Sequence, residues 1–171
     1  MTIQYPYIPT GRTILYVNDG NEFMQEAKRW RNTQSSESVQ PTGAVIVKNG
    51  KIVSGGANQS RLRSKWLSKL HSRLCIRKIC KVKTGTKYWL CPGCATYKEH
   101  AEAQAVMDGK KRGVDMSNSD LYLYGHWWCC KPCWDAMIGG GIKDVHLLSG
   151  SEILFNRSHP ENALPNRVEK K

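Results

Sequence analysis

A chain of 171 residues, 40% of them apolar and 23% charged, is long enough to bury a core of its own, and this composition excludes collagen, coiled coil and bulk disorder. No uncharged apolar stretch approaches the ~20 residues of a membrane helix, so no membrane partner is expected. The formal charge of +12 is unevenly laid out: between Lys48 and Lys98 there are 13 basic residues and no acidic one, while the other half of the 26 basic residues faces all 14 acidic ones. Such a block is either a solvated, self-repelling surface or an anion-binding face, and its unopposed length favours the second. Phosphate on a nucleotide and phosphate on a nucleic acid fit it equally well.

The opening Met1-Thr2-Ile3-Gln4-Tyr5-Pro6 has neither the basic nor the apolar segment of a secretory signal, which makes the cytoplasm the expected compartment. Seven cysteines would stay reduced there, and they read as metal ligands or catalytic thiols before disulfides.

In chain order, Ile14-Leu15-Tyr16-Val17 is an arm or an edge strand. Asn18, Asp19 or Asn21 then caps a helix whose apolar side is Phe23, Met24, Ala27 and Trp30. After a polar loop, Ala44 to Val47 and Ile52-Val53 flank Asn49-Gly50, the turn pair that suits positive φ at both central positions, and so predict a hairpin. Gly55-Gly56 is expected to break its second strand. Residues 59–99 read as a basic, cysteine-bearing insertion, with helical spacing in Trp66, Leu67, Leu70 and Leu74 and a turn at Thr84-Gly85-Thr86. Ala101 to Met107 predicts a helix stopped by Gly109; Leu121 to Tyr124 a strand; Lys131 to Ile138 a helix ended by three glycines; Val145 to Leu148 a further strand. The tail from Phe155 to Lys171 is expected to be loosely held. The order gives one α/β domain, a sheet covered by helices.

Two short motifs carry the chemistry. His100-Ala101-Glu102 opens one helix, and Cys130-Lys131-Pro132-Cys133 opens another. One imidazole and two thiolates are three ligands for Zn²⁺, and a catalytic zinc uses three protein ligands and an open position whose water is acidified toward neutral pH. Glu102, two residues from the histidine, is placed to move that water's proton. A redox pair or a structural zinc knuckle would also explain a lone C-x-x-C, but the upstream H-x-E weighs against both. In the insertion, His71, Cys75, Cys91 and Cys94 have the spacing of a closed, structural four-ligand zinc, with Cys80 as an alternative to His71 and free buried thiols as the plain rival. Tyr122, Tyr124, Trp127 and Trp128 could stack on a base, although core packing explains the two tyrosines better.

The H-x-E and C-x-x-C pair, with the order helix, hairpin, helix, strand, helix, strand from about Phe23 to Leu148, resembles the cytidine/deoxycytidylate deaminase superfamily. The resemblance implies a three-layer α/β/α fold with a mixed sheet, a catalytic zinc on His100, Cys130 and Cys133, and Glu102 as proton shuttle. It implies a base pocket lined by Ala44 and the Ala101 backbone, and a sugar contact from Asn58. Arg61 and Arg63, close behind Asn58, are candidates for the 5′-phosphate. The chain departs from the family in having Cys129 where proline usually precedes the first cysteine, which leaves Cys129 as a competing ligand. By resemblance the substrate is dCMP, converted to dUMP by a homo-oligomer, and the second metal is similar to that of some deoxycytidylate deaminases. Two rival readings are a deaminase of bases in single-stranded nucleic acid and a non-catalytic zinc module that binds nucleic acid.

Overall fold

A computed structural model describes residues 6–62, 64–82 and 87–164. Arg63, the turn expected at Thr84-Gly85-Thr86 and the last seven residues of the tail lie outside them. Five strands, β1 (Ile14–Val17), β2 (Gly43–Lys48), β3 (Lys51–Ala57), β4 (Ser119–Tyr124) and β5 (Ile142–Leu148), form one sheet in the order β1-β5-β4-β2-β3. The pairings β1 with β5 and β5 with β4 are parallel, and those of β2 with β4 and β3 are antiparallel. The sheet is therefore mixed, with β1 and β3 at its edges.

Alternation along the central strands sends side chains to two cores. Val45, Val47, Tyr122 and Tyr124 meet Met24 and Ala27 of α1 (Glu22–Gln34) on one face. Ala44, Ile46, Leu121 and Leu123 meet α4 (Ala101–Lys111) and Trp134 and Met137 of α5 (Lys131–Ile138) on the other. The result is the expected α/β/α sandwich. Of the three capping candidates it is Asn21 that caps α1, its Oδ1 accepting from the N–H groups of Phe23 and Met24. The hairpin turn forms as predicted, with Asn49 at φ 50° and Gly50 at φ 70°.

Three local expectations are corrected. Gly55-Gly56 does not break β3, which runs through both residues to Ala57, paired with β2. A Cβ on Gly56 would lie 2.7 Å from the carbonyl carbon of Gln104 and 2.8 Å from the Ala101 oxygen, and one on Gly55 would meet the Trp30 ring. The pair thus lets helices approach the strand from both sides. Gly109 does not stop α4, which continues to Lys111 with Gly109 buried against Met116. Finally, residues 155–164 are packed: Phe155 sits edge-on to Tyr124 at 5.2 Å, Leu164 is buried in the same core, and Gln40 donates to the Phe155 carbonyl.

The insertion carries α2 (Lys65–Leu74) and the short α3 (Ile76–Ile79), followed by 3₁₀ turns at Tyr88–Leu90 and Tyr97–Glu99. A final short helix, α6 (Ser151–Leu154), follows β5. Among the described residues no helix is long and apolar enough to cross a membrane.

Candidate active site and metal centres

The ends of two helices build the principal site. His100 occupies the N-cap of α4 and Cys130 the N-cap of α5, with Pro132 in the first turn of α5, where its missing N–H costs nothing. Packing of α4 against α5 brings the two helix starts together across the thirty residues that separate them. His100 Nδ1 lies 3.7 Å from Cys130 Sγ and 3.4 Å from Cys133 Sγ, and the three donor atoms all fall within 4.8 Å of one another. For tetrahedral zinc, Zn–S near 2.3 Å and Zn–N near 2.0–2.1 Å place nitrogen and sulfur about 3.6 Å apart. The donor set and its spacing therefore fit one zinc ion.

The electrostatics favour ligand ionisation at one thiol. Hydrogen bonding from Cys133, aided by His100, brings Cys130 down to about 6 against the effect of burial. Cys133, sharing that hydrogen bond and buried, is pushed up. Burial disfavours a charged His100, but its hydrogen bond to Cys130 and the Glu102 carboxylate outweigh this and raise its pKa. Both ligand-bearing helix starts add positive dipole where thiolate charge would sit.

Glu102, on the first turn of α4, is only 5% exposed, an unusual place for a carboxylate without a function. Beside it lies Cys129. The sequence left this thiol as a competing ligand, but it is fully buried in the α4–α5 core and outside the three-donor cluster. Burial and that carboxylate push its pKa well up, which keeps it a neutral thiol.

His126, between β4 and α5, is a fixed part of this region. Its Nδ1 accepts from the N–H groups of Trp127 and Trp128 at 3.1 and 3.2 Å, and its ring lies edge-on to Trp128. Burial lowers its pKa to about 4, so the imidazole is neutral and carries its proton on Nε2.

The remaining candidates divide. Ala44 and Ala101 are both buried in the core cluster that underlies the site. Asn58 is nearby in sequence, but its amide is committed to the 35–42 loop: Oδ1 accepts from Thr42 N at 2.8 Å and from Ser35 Oγ at 2.6 Å, and Nδ2 donates to the Gln40 carbonyl at 2.8 Å. Arg61 is 3.8 Å from Glu99, the residue just before His100, so a guanidinium stands close to the N-terminal end of α4. Tyr122 and Tyr124 are core residues, as expected, and Tyr122 is stacked on His146 at 4.3 Å.

The insertion gathers a second cluster. His71 from α2, Cys75 at its end and Cys91 and Cys94 converge within 4.8 Å, and the exposed Cys80 lies outside, so the structure selects the histidine. Cys75 and Cys94 sulfurs are 3.5 Å apart, Cys75 and Cys91 4.0 Å, and His71 Nε2 is 3.2 and 3.6 Å from Cys91 and Cys94. Tetrahedral zinc would ask for about 3.8 Å between sulfurs and about 3.6 Å from nitrogen to sulfur, so four donors fit a closed ion. Burial opposes the Cys91 thiolate, but the backbone at Gly93 and Ile76 together with His71 bring it to about 6. Burial raises Cys94 to about 11 despite Arg77, whose guanidinium lies 3.7 Å away.

Comparison with known proteins agrees with this geometry. Residues 17–149 match the family model for the cytidine and deoxycytidylate deaminase zinc-binding region. No curated protein sequence matches the chain. Among solved structures, a dCMP deaminase of the cyanophage S-TIM5 in complex with dCMP and dUMP is similar at 19% identity and a TM-score of 0.45, over 76% of this chain and 82% of that one. Guanine deaminase of Bacillus subtilis is similar at 20% identity and a TM-score of 0.41, over 87% of this chain and 84% of that one. With a family model spanning most of its length and the zinc-type donor set at two helix starts, the chain belongs to the cytidine and deoxycytidylate deaminase family of zinc-dependent hydrolases.

Proposed function

We propose that the protein deaminates a free cytosine nucleotide, dCMP to dUMP, at the site formed by His100, Cys130, Cys133 and Glu102. The observation that carries this reading is a buried carboxylate on the helix turn that begins at His100, one of a cluster of three zinc-type donors. Zinc, when bound there, supplies hydroxide near neutral pH. His100, Cys130 and Cys133 hold the ion and fix its position against the starts of α4 and α5. Glu102 takes the proton of the attacking water, delivers it to N3 of the ring and passes a proton to the amino group on C4, which leaves as ammonia. One water is consumed and a carbonyl replaces the amine, so the balance is that of hydrolysis.

Ala44 and the backbone of Ala101 form the floor against which the base lies. Arg61 holds the 5′-phosphate, with Arg63 as a second candidate, and Glu99 keeps the Arg61 guanidinium near the site before substrate arrives. Asn58 serves by fixing the 35–42 loop, and a direct sugar contact would compete with the three hydrogen bonds its amide already makes. His71, Cys75, Cys91 and Cys94 hold a second, structural zinc that gives shape to an insertion poor in core residues. The protein acts in the cytoplasm as a homo-oligomer.

The test is a mass-resolved assay of zinc-replete protein offered dCMP, deoxycytidine, CMP and a mixed-sequence single-stranded oligonucleotide, each conversion adding ~1 Da. Turnover of dCMP in preference to the others is expected. Glu102→Gln should keep its fold and zinc and lose at least about a hundredfold in turnover. Retained deamination in that variant would overturn the shuttle, and conversion of the oligonucleotide alone would overturn the nucleotide.

A further inference from the structure

We propose that the zinc-knotted insertion is a docking surface for single-stranded nucleic acid, separate from the catalytic pocket and independent of which cytosine compound is the substrate. Trp66, Leu70 and Leu74 recur every fourth residue along α2 and form one stripe, yet Trp66 is 68% exposed and Leu74 59%. Trp89, two residues before Cys91, is 78% exposed. His71 and Cys75 join the α2 end to Cys91 and Cys94, so both tryptophans belong to one small body held by the four-donor knot. Large apolar side chains grouped in water in this way mark interaction sites rather than chance exposure.

Charge decides what kind of partner. The insertion lies within the run from Lys48 to Lys98 that has 13 cations and no carboxylate, and the whole chain carries +12. A second copy of this chain would bring one strongly basic segment against another, which disfavours self-docking. The occupant must offer regularly spaced anions and flat apolar faces together. Single-stranded nucleic acid does both: its phosphates meet Lys and Arg, and its unpaired bases stack on exposed aromatic rings whatever their sequence. Duplex hides those faces, and a phospholipid surface has none.

The experiment measures anisotropy of a fluorescein-labelled 20-nucleotide single strand against the zinc-replete full chain, with the same sequence as duplex and anionic phosphatidylserine vesicles as parallel arms. For about five phosphate contacts, a slope of ~0.7 per contact predicts a roughly hundredfold loss of affinity between 50 and 200 mM salt. Trp66→Ala together with Trp89→Ala should weaken binding by about tenfold or more, because each ring is a stacking platform. Arg73→Glu should weaken it and flatten the salt slope. These variants sit on exposed positions and should leave turnover of dCMP unchanged, so failure here and failure of the deaminase reading are separately visible. Absence of strand binding at 50 mM salt, equal affinity for duplex, binding to vesicles alone, or full affinity in the double tryptophan variant would each overturn the proposal.

Discussion

Replacing Gly56 by alanine tests whether the close seat of α4 on β3 sets the active site. Gly56 has an ordinary strand conformation, so in open space a methyl group there would stabilise the fold by about 0.4–1 kcal/mol through the unfolded chain. The space is not open. The new Cβ would stand 2.7 Å from Gln104 C and 2.8 Å from Ala101 O, where ordinary contact begins near 3.4 Å, and all the neighbours are backbone. The first turns of α4, whose Ala105 N lies closest to the new Cβ, must therefore withdraw by more than about 0.7 Å, and overpacking of this kind costs about 1–3 kcal/mol. Ala101 lies between His100 and Glu102, so the same movement displaces the metal ligand and the proton carrier proposed above. A misplacement approaching 1 Å can reduce turnover by about a hundredfold. Gly55→Ala is the control, because it meets the Trp30 ring, which can turn aside. Urea unfolding, zinc content and turnover of both variants should give a clear order, with Gly56→Ala worse in stability and far worse in rate. A Gly56→Ala protein as stable as the parent, with turnover within twofold, would refute the reasoning.

Cys94→Ser should lower zinc from two ions to one per chain by elemental analysis, change Trp89 fluorescence and sensitise the insertion to proteases, while the ligands at His100, Cys130 and Cys133 stay intact. Asn58→Ala removes three hydrogen bonds and leaves Thr42 N without its partner, so unfolding measurements should show a loss of about 2–4 kcal/mol even with no substrate present. His126 is neutral in the fold with a pKa near 4, against an ordinary 6.5, so only the unfolded chain gains its proton between those values. Stability should therefore fall as pH drops from 6.5 toward 4, by up to about 3 kcal/mol from this residue. His126→Gln should show a shallower fall over that window in parallel urea titrations, and an identical slope would exclude the buried imidazole as the cause.

What can be read from the sequence is what depends on short spacing. His100 and Glu102 share a helix turn, Cys130 and Cys133 share the next helix start, and Asn49-Gly50 demands its hairpin, because each follows from local backbone geometry. Long-range packing decided the rest. Gly55-Gly56 reads locally as a breaker, yet two helices need that space and keep the strand continuous. Spacing offered His71 with Cys80 as a substitute, and only the course of α2 shows that it is His71 that meets Cys91 and Cys94. Cys129 and Cys130 are neighbours of identical chemistry, and the start of α5 turns one thiol into the core beside Glu102 and the other toward His100. Side-chain type fixes which chemistry is available, whereas the direction each group faces is a property of the packed sheet and helices, which no window of the sequence contains.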